Sequence, residues 1–469
     1  MNTAFRPQAS AWNYPRHDEI TVTPIGGIDR IGMNMTVYGH FGQHIIVDAG
    51  YSFPDRDCDT PITSYSIAPR TLDGLANPLG IILTHGHEDH IGGVIALLLA
   101  NPSLKVFATP LVAEILRQKA KSAHNADQLP DDLNLSEYSP GDTLCVGPFL
   151  VTSIPVSHSI PEACSLFIHS TRLKKGILHT GDYNMDTGNA LCATDTKALS
   201  ALPPVGLVLG DSTNALVDKG HSEADVAVSL YNLIEARKGR VFIAATSSNI
   251  TRIRNVHMIA NALGRRFGVR GAAIERNVAI ASGLSYLADP TSVLSRNAVS
   301  NVNAVGNVVM LTGLQAEKHS ALRRMAAGAV GMPWASAGDT IVFSGRPIPG
   351  NEGDITNLAY DFRRLGISVI MAGDEPASVG PLHASGHATI PEIQSYYAHA
   401  RPEHVMPVHG TPAMLEGHAR LATQMGIKAT VPKTGTIYSF TDTGLSQVGH
   451  VSPVIMATLE NGAITYISS

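Results

Sequence analysis

A chain of 469 residues is too long for one hydrophobic core and predicts two domains or more. With 44% hydrophobic and 16% charged residues it has the composition of a folded globular protein, not of a disordered chain. A formal net charge of −5 argues against a protein coated in nucleic acid but leaves room for a local basic groove, and 20 histidines invite a search for metal ligands.

Residues 1–19 form a polar lead-in without the apolar core of a signal peptide. Strand-like runs follow at ITVTPIG, NMTVYGH, HIIVDAG, GIILT, KVFAT, LCVGPFLVTSIPV, CSLFIHS and KGILHTG, separated by glycines and short polar turns. Helices are expected at VIALLLA (94–100) and over 111–120. Many strands and few helices as far as about residue 210 indicate layered sheets with helices outside. From about 222 the pattern changes. SEADVAVSLYNLIEARKG reads as a capped helix, RVFIAAT as a buried strand and NITRIRNVHMIANALG as a second helix. NVVMLT, a helix around 316–328, DTIVFS, a helix around 353–365 and ISVIMAG continue the alternation, the signature of a parallel, doubly wound sheet. After 385 ligand-type residues return in SGHAT and PVHGT. The organisation expected is a first part at 20–214, an inserted α/β domain at 215–370, and the first domain resumed at 371–469. The final strands are TGTIYSF, PVIMATL and AITYIS. VIALLLA, the longest apolar run, is too short to span a bilayer, so no membrane is expected. Cys58, Cys145, Cys164 and Cys192 have neither CxxC nor disulfide-like spacing, which points to free thiols and a cytoplasmic protein.

The densest chemical signal is THGHEDHIGG at 84–93, immediately after the apolar GIIL. His85, His87, Asp89 and His90 share a short loop between strand and helix, and burying so many ionisable groups is costly unless something satisfies them. Imidazole with carboxylate suits zinc, and less selectively manganese or iron. The absence of cysteine from the cluster favours an open, catalytic site over a closed structural one. Three more donors stand at strand ends followed by turns: His158 in IPVSHSIPEA, Asp182 in ILHTGDYNMD and His409 in VMPVHGTP.

Together these residues resemble the metallo-β-lactamase superfamily. The resemblance implies that His85, His87 and His158 hold one metal, that Asp89, His90 and His409 hold a second, and that Asp182 bridges them. It makes Asp48 of IIVDAG the residue that orients the ligand loop from behind. Two divalent metals, Zn2+ or alternatively Mn2+, can share a hydroxide whose pKa falls to about 7. Such a site hydrolyses phosphodiesters, thioesters, lactones or β-lactams, and the metals alone do not choose among them.

Further segments narrow the resemblance to the β-CASP branch, and within it to ribonuclease J: GGIDRIGMNM, LGDSTNA, ATSSNITRI, TGLQAEKHSALRRMAAG, PIPGNE and HASGHA, in that order. The implied fold is an αββα metallo-β-lactamase sandwich carrying an inserted β-CASP α/β domain. Asp211 would support the active-site histidines, His387 would contact the scissile phosphate, and His409 is already counted as a ligand. Ser247, Ser248 and Asn249 precede a helix, where free backbone N–H groups suit a phosphate. By resemblance they bind the first nucleotides of RNA together with Ser385, Gly386 and His387. Pro349, Gly350, Asn351 and Glu352 form a turn that matches a family signature. IERN (274–277) and MPWASAGDT (332–340) depart from the family pattern, and the chain ends where the family continues into a C-terminal domain that assists assembly. The implied partner is single-stranded RNA, and the implied assembly a homodimer or higher homo-oligomer. The implied activity is 5′-to-3′ exonuclease action favouring 5′-monophosphate RNA, with endonuclease activity in some members, in RNA processing or decay. A small-molecule metallohydrolase, such as a lactonase or thioesterase, and a catalytically inactive RNA-binding subunit are the alternatives.

Overall fold

The computed structural model describes residues 12, 18–54, 61–123, 125–287, 289–300, 306–348, 350–460 and 463–468. Most of the lead-in, Cys58 and Pro349 lie outside them. Among the described residues the strands form four sheets.

The first sheet begins with an antiparallel meander of Ile20–Gly26, Met35–His40 and Gln43–Val47. Pro78–Ile82, Val106–Ala108 and Leu135–Glu137 then add in parallel. Its strands are apolar on both faces because both are covered. Helices Val94–Ala100 and Pro110–Lys121 pack Leu97, Leu98, Val112 and Leu116 on one side. The second sheet covers the other side, where Val22, Tyr38, Ile45 and Ile82 meet Leu166, Ile168, Leu207 and Leu209. Helices Ile390–Ala400 and Pro412–Gln424 close the second sheet's outer face. This is the αββα sandwich expected.

The chain leaves the second sheet after Val205–Asp211 and returns to the same sheet as His404–Val408, its parallel neighbour, with Asp211 opposite Val408. Between these two strands it builds a six-stranded parallel sheet centred on Val308–Leu311, Val241–Ala244 and Thr340–Phe343. Separate apolar clusters cover that sheet's two faces, as a doubly wound insertion requires. Leu111 and Ile160 of the sandwich reach into one of these clusters. Glu162 seals the same seam, since its carboxylate accepts Leu111 N–H at 2.8 Å and the Tyr286 hydroxyl.

Several local expectations are corrected. LCVGPFLVTSIPV is a hairpin of Thr143–Val146 and Phe149–Pro155, turned at Gly147 (φ +56°). The helix expected around 316–328 shortens to Ala321–Ala326, because Gly313 and Ala316 adopt positive φ and turn the chain first. The strands Val454–Leu459 and Ile464–Ser468 leave the main sheets and form a small sheet with Ile62–Ile67 and Tyr51–Ser52. Cys145, Cys164 and Cys192 are free thiols. Among the described residues no helix is long and apolar enough to cross a membrane.

Candidate metal centre

Parallel strands deliver the donors to one end of the sandwich. The loop after Pro78–Ile82 carries His85 to His90, Asp182 follows Gly176–His179, Asp211 ends Val205–Asp211, and His409 follows His404–Val408. Asp48 clamps the first loop from behind. One carboxylate oxygen accepts Thr84 N–H at 2.8 Å, while the other accepts Thr84 Oγ1–H at 2.8 Å and faces His90 Nδ1 at 2.7 Å. Asp48 and His409 are both held at positive φ (60° and 53°), so backbone strain gathers at this centre. A close approach also fixes the loop: a Cβ on Gly50 would lie 1.6 Å from Asp89 O, so only glycine fits there.

Three overlapping donor groups result. In the first, His87 Nδ1 lies 3.2 Å from His85 Nε2 and 3.0 Å from His158 Nε2, with Asp182 Oδ2 3.7–3.8 Å from the latter two atoms. In the second, Asp182 contacts His90 Nε2 at 3.2 Å and His409 Nδ1 at 2.8 Å, and Asp89 lies 3.3 Å from His409 Nε2. Asp182 is common to both groups. The third combines Asp182, Asp211, His387 and His409. There Asp211 is already committed: it faces His387 Nδ1 at 2.8 Å and accepts Thr213 N–H at 2.9 Å and Oγ1–H at 2.7 Å. Asp211 thus orients His387.

The donor set fits divalent cations. Burial lowers His85 well below its ordinary pKa, His87 to about 4 and His158 to about 3, so all three imidazoles are neutral with lone pairs free to ligate. Burial also disfavours charged His90 and His409, but Asp182, helped by Asp48 and Asp89 at His90 and by Asp211 and Asp89 at His409, outweighs it and raises both well above the usual range. Carboxylates that draw protons onto buried imidazoles mark a place where positive charge is wanted. Within the centre, the buried nitrogens His87 Nε2 and His409 Nε2 have no hydrogen-bond partner among the described residues. Glu88, in the middle of the motif, turns outward to Lys119 Nζ at 2.5 Å.

The residues expected to bind RNA divide. Ser385 Oγ receives Asn214 Nδ2–H at 2.8 Å and His387 N–H at 3.2 Å, and so shapes the His387 loop. The Gly386 carbonyl lies 2.7 Å from His158 Nδ1, which fixes that tautomer and leaves Nε2 for the first group. A Cβ on Gly386 would lie 2.6 Å from the His158 ring. Ser247 and Ser248 are half-buried at the start of helix Ile250–Ala262. Asn249 is buried and occupied: its side chain caps that helix through Arg252 N–H at 2.8 Å and donates to Glu223 at 2.8 Å. Within the atypical IERN segment, Asn277 Nδ2 donates to Ser247 O at 2.8 Å. In MPWASAGDT, Asp339 pairs with buried Arg240 at 2.6 Å. Sequence reasoning missed Thr84, Asn34 and Asn214. All three stood in motifs already singled out, THGHEDHIGG, GGIDRIGMNM and LGDSTNA, without a role.

Fold and donor set together define a metallo-β-lactamase-type hydrolase with an inserted β-CASP domain. Residues 43–242 match the family described as "Beta-lactamase superfamily domain", 238–361 match "Ribonuclease J, beta-CASP domain", and 377–432 match "Zn-dependent metallo-hydrolase RNA specificity domain". A ribonuclease J of Sinorhizobium meliloti is 35% identical over 424 residues, covering 89% of this chain and 73% of the relative. One from Mycobacterium tuberculosis is 34% identical over 419 residues, covering 87% and 72%. A crystallised protein of unknown function from Enterococcus faecalis V583 shares the fold, with TM-score 0.63 and 15% identity over 90% of this chain and all of that one. The chain belongs to the ribonuclease J family.

Proposed function

We propose that this chain hydrolyses the phosphodiester bonds of single-stranded RNA at a two-metal centre, acting 5′-to-3′ with preference for a 5′-monophosphate and with endonuclease activity alongside. The observation that carries this reading is the convergence of seven donors from four segments that follow strands, with a polar His387–Asp211 pair at their edge. His85, His87, His158 and Asp182 would hold one cation, and Asp89, His90, His409 and Asp182 the other. Zn2+ suits the imidazole-rich donor set, and Mn2+ is the second choice. Bound there, divalent cations supply Lewis acidity and lower the pKa of water to about 7.

The protein's own groups do the rest. His387 is 22% exposed and, with Asp89 (25%) and half-buried His87, forms the open side of a cluster whose other members are buried, and so meets an incoming phosphate. Burial lowers its proton affinity, but Asp211 and Asp182 more than compensate and hold it above the ordinary value. With Nδ1 engaged by Asp211, Nε2–H is left to donate to a phosphoryl oxygen as charge develops. Asp182 and Asp89 are kept ionised by their histidine neighbours despite burial. The backbone N–H groups of Ser247 and Ser248 at the helix start, not the Asn249 side chain, are then the candidates for the 5′ end. A homo-oligomer remains part of this reading, and light scattering of the purified protein tests it.

The decisive assay compares 5′-monophosphate and 5′-triphosphate RNA of one sequence, with and without chelator. The expected result is nucleotide release that is faster from the monophosphate and abolished by chelator. Intact RNA alongside robust lactone hydrolysis would refute the reading.

A further inference from the structure

Asn34, from the GGIDRIGMNM segment, sits inside the second donor group. Its backbone is fixed from both sides, donating N–H to Asp89 O at 3.0 Å and accepting Gly50 N–H at 3.0 Å. Its side chain is buried and oriented. Oδ1 turns toward Gly27, where a Cβ would lie 2.2 Å away, and φ of +72° independently favours glycine. Nδ2 therefore faces the centre, 3.2 Å from Asp89 O and 3.0 Å from His90 Nε2. A backbone carbonyl only accepts, which identifies the atom facing it as the amide nitrogen.

One of the two amide hydrogens serves Asp89 O. The second points at His90 Nε2, the atom the second half-site needs as a ligand, since Nδ1 of that ring faces Asp48. A lone pair given to a cation cannot also accept a hydrogen bond. In the loaded centre the second N–H therefore finds no acceptor among the protein's own groups, and a buried donor left unmet is unfavourable. An oxygen entering the centre from outside the protein restores the bond. An uncharged amide also suits an anion at a place already crowded with carboxylates, where another acid would repel it.

We propose that Asn34 is a further substrate-contacting residue, whose Nδ2–H donates to a non-bridging oxygen of the scissile phosphate once His90 is engaged by metal. The proposal rests on the RNA-hydrolase reading above. Its donor would act on the second half-site's side of the phosphate, complementing His387.

The test uses the full chain and the variants Asn34→Ala and Asn34→Asp, each checked by thermal melting. Zn2+ or Mn2+ is titrated into metal-free protein by calorimetry, and cleavage of 5′-monophosphate RNA is then followed. Both variants should take up the same number of metals as the wild type. They should lose about a hundredfold in kcat with KM little changed, as for removal of one donor to a developing charge. Unchanged kcat in either metal-loaded variant overturns the proposal. Loss of the second metal overturns it too, because Asn34 would then be holding the metal ligands. A metal-loaded wild type that leaves RNA intact refutes the functional reading itself, and the Asn34 proposal falls with it.

Discussion

At the scale of single residues, the centre depends on groups that never touch the reacting atoms. Asp48 spends both oxygens on Thr84 and His90, so it sets the direction of the His90 ring and the path of the loop. Asp48→Asn should weaken metal affinity about ten- to a hundredfold, read by calorimetric titration, as for other residues that orient a ligand. His387→Ala should leave that titration unchanged and abolish most RNA cleavage; a variant with full cleavage would remove His387 from the site. His418 illustrates a pH effect away from the metals. It is fully buried between Ser212 Oγ (2.9 Å) and the Tyr397 hydroxyl (2.6 Å), and burial pushes its pKa down to about 4. Because the unfolded chain takes the proton first, this group's contribution is complete above about pH 6.5 and declines as pH falls toward 4. Urea titrations from pH 6.5 to 4.5 should show the wild type losing about 1.4 kcal/mol per pH unit more than His418→Gln. Parallel slopes would show that His418 does not carry the effect.

Secondary-structure elements meet the site through one buried ion pair. Arg252, on the first turn of helix Ile250–Ala262, bonds Glu223 at 2.7 and 2.8 Å, Ser344 Oγ at 2.6 Å and Leu382 O at 3.4 Å. It joins helices Glu223–Glu235 and Ile250–Ala262, the end of strand Thr340–Phe343, and the segment leading to His387. Glu223→Ala strands a buried guanidinium and should cost about 3–5 kcal/mol in denaturant unfolding, whereas the double change Glu223→Leu with Arg252→Met should cost far less. Equal losses in the two proteins would contradict this. The elements also show what a sequence makes legible. The strand–helix alternation of the insertion was readable where a buried strand is a short β-branched run, as at Val241–Ala244, Val308–Leu311 and Thr340–Phe343, and not at Phe267–Arg270, which has a single β-branched residue. The hairpin within LCVGPFLVTSIPV was not, since apolar residues run continuously across its turn. The donors were readable because few side chains ligate metal and each stands after a strand. Gly386, Asn34 and Thr84 act through a carbonyl, an amide and a hydroxyl, groups too common to signal a role by type. Asn249 carries two readings for a related reason, because a helix N-cap and a phosphate loop use the same residues.

The whole molecule is two separately cored bodies joined at a seam, and metal should act on them unequally. All seven proposed ligands leave strand ends of the αββα sandwich. The inserted parallel sheet has its own apolar clusters on both faces and contributes no donor to any of the three groups. Ligand that binds only the folded state stabilises what it touches, by about 2.7 kcal/mol at a hundredfold excess over Kd. Chelation should therefore lower amide hydrogen-exchange protection at 84–92, 157–182 and 405–410. Val241–Ala244, Val308–Leu311 and Thr340–Phe343 should keep theirs. Any transmitted effect should appear first at the seam of Leu111, Ile160 and the Glu162–Tyr286 contact. Uniform deprotection of both bodies would mean that they unfold as one cooperative unit. In that case metal binding at one end of the sandwich would govern the stability of the inserted parallel sheet as well.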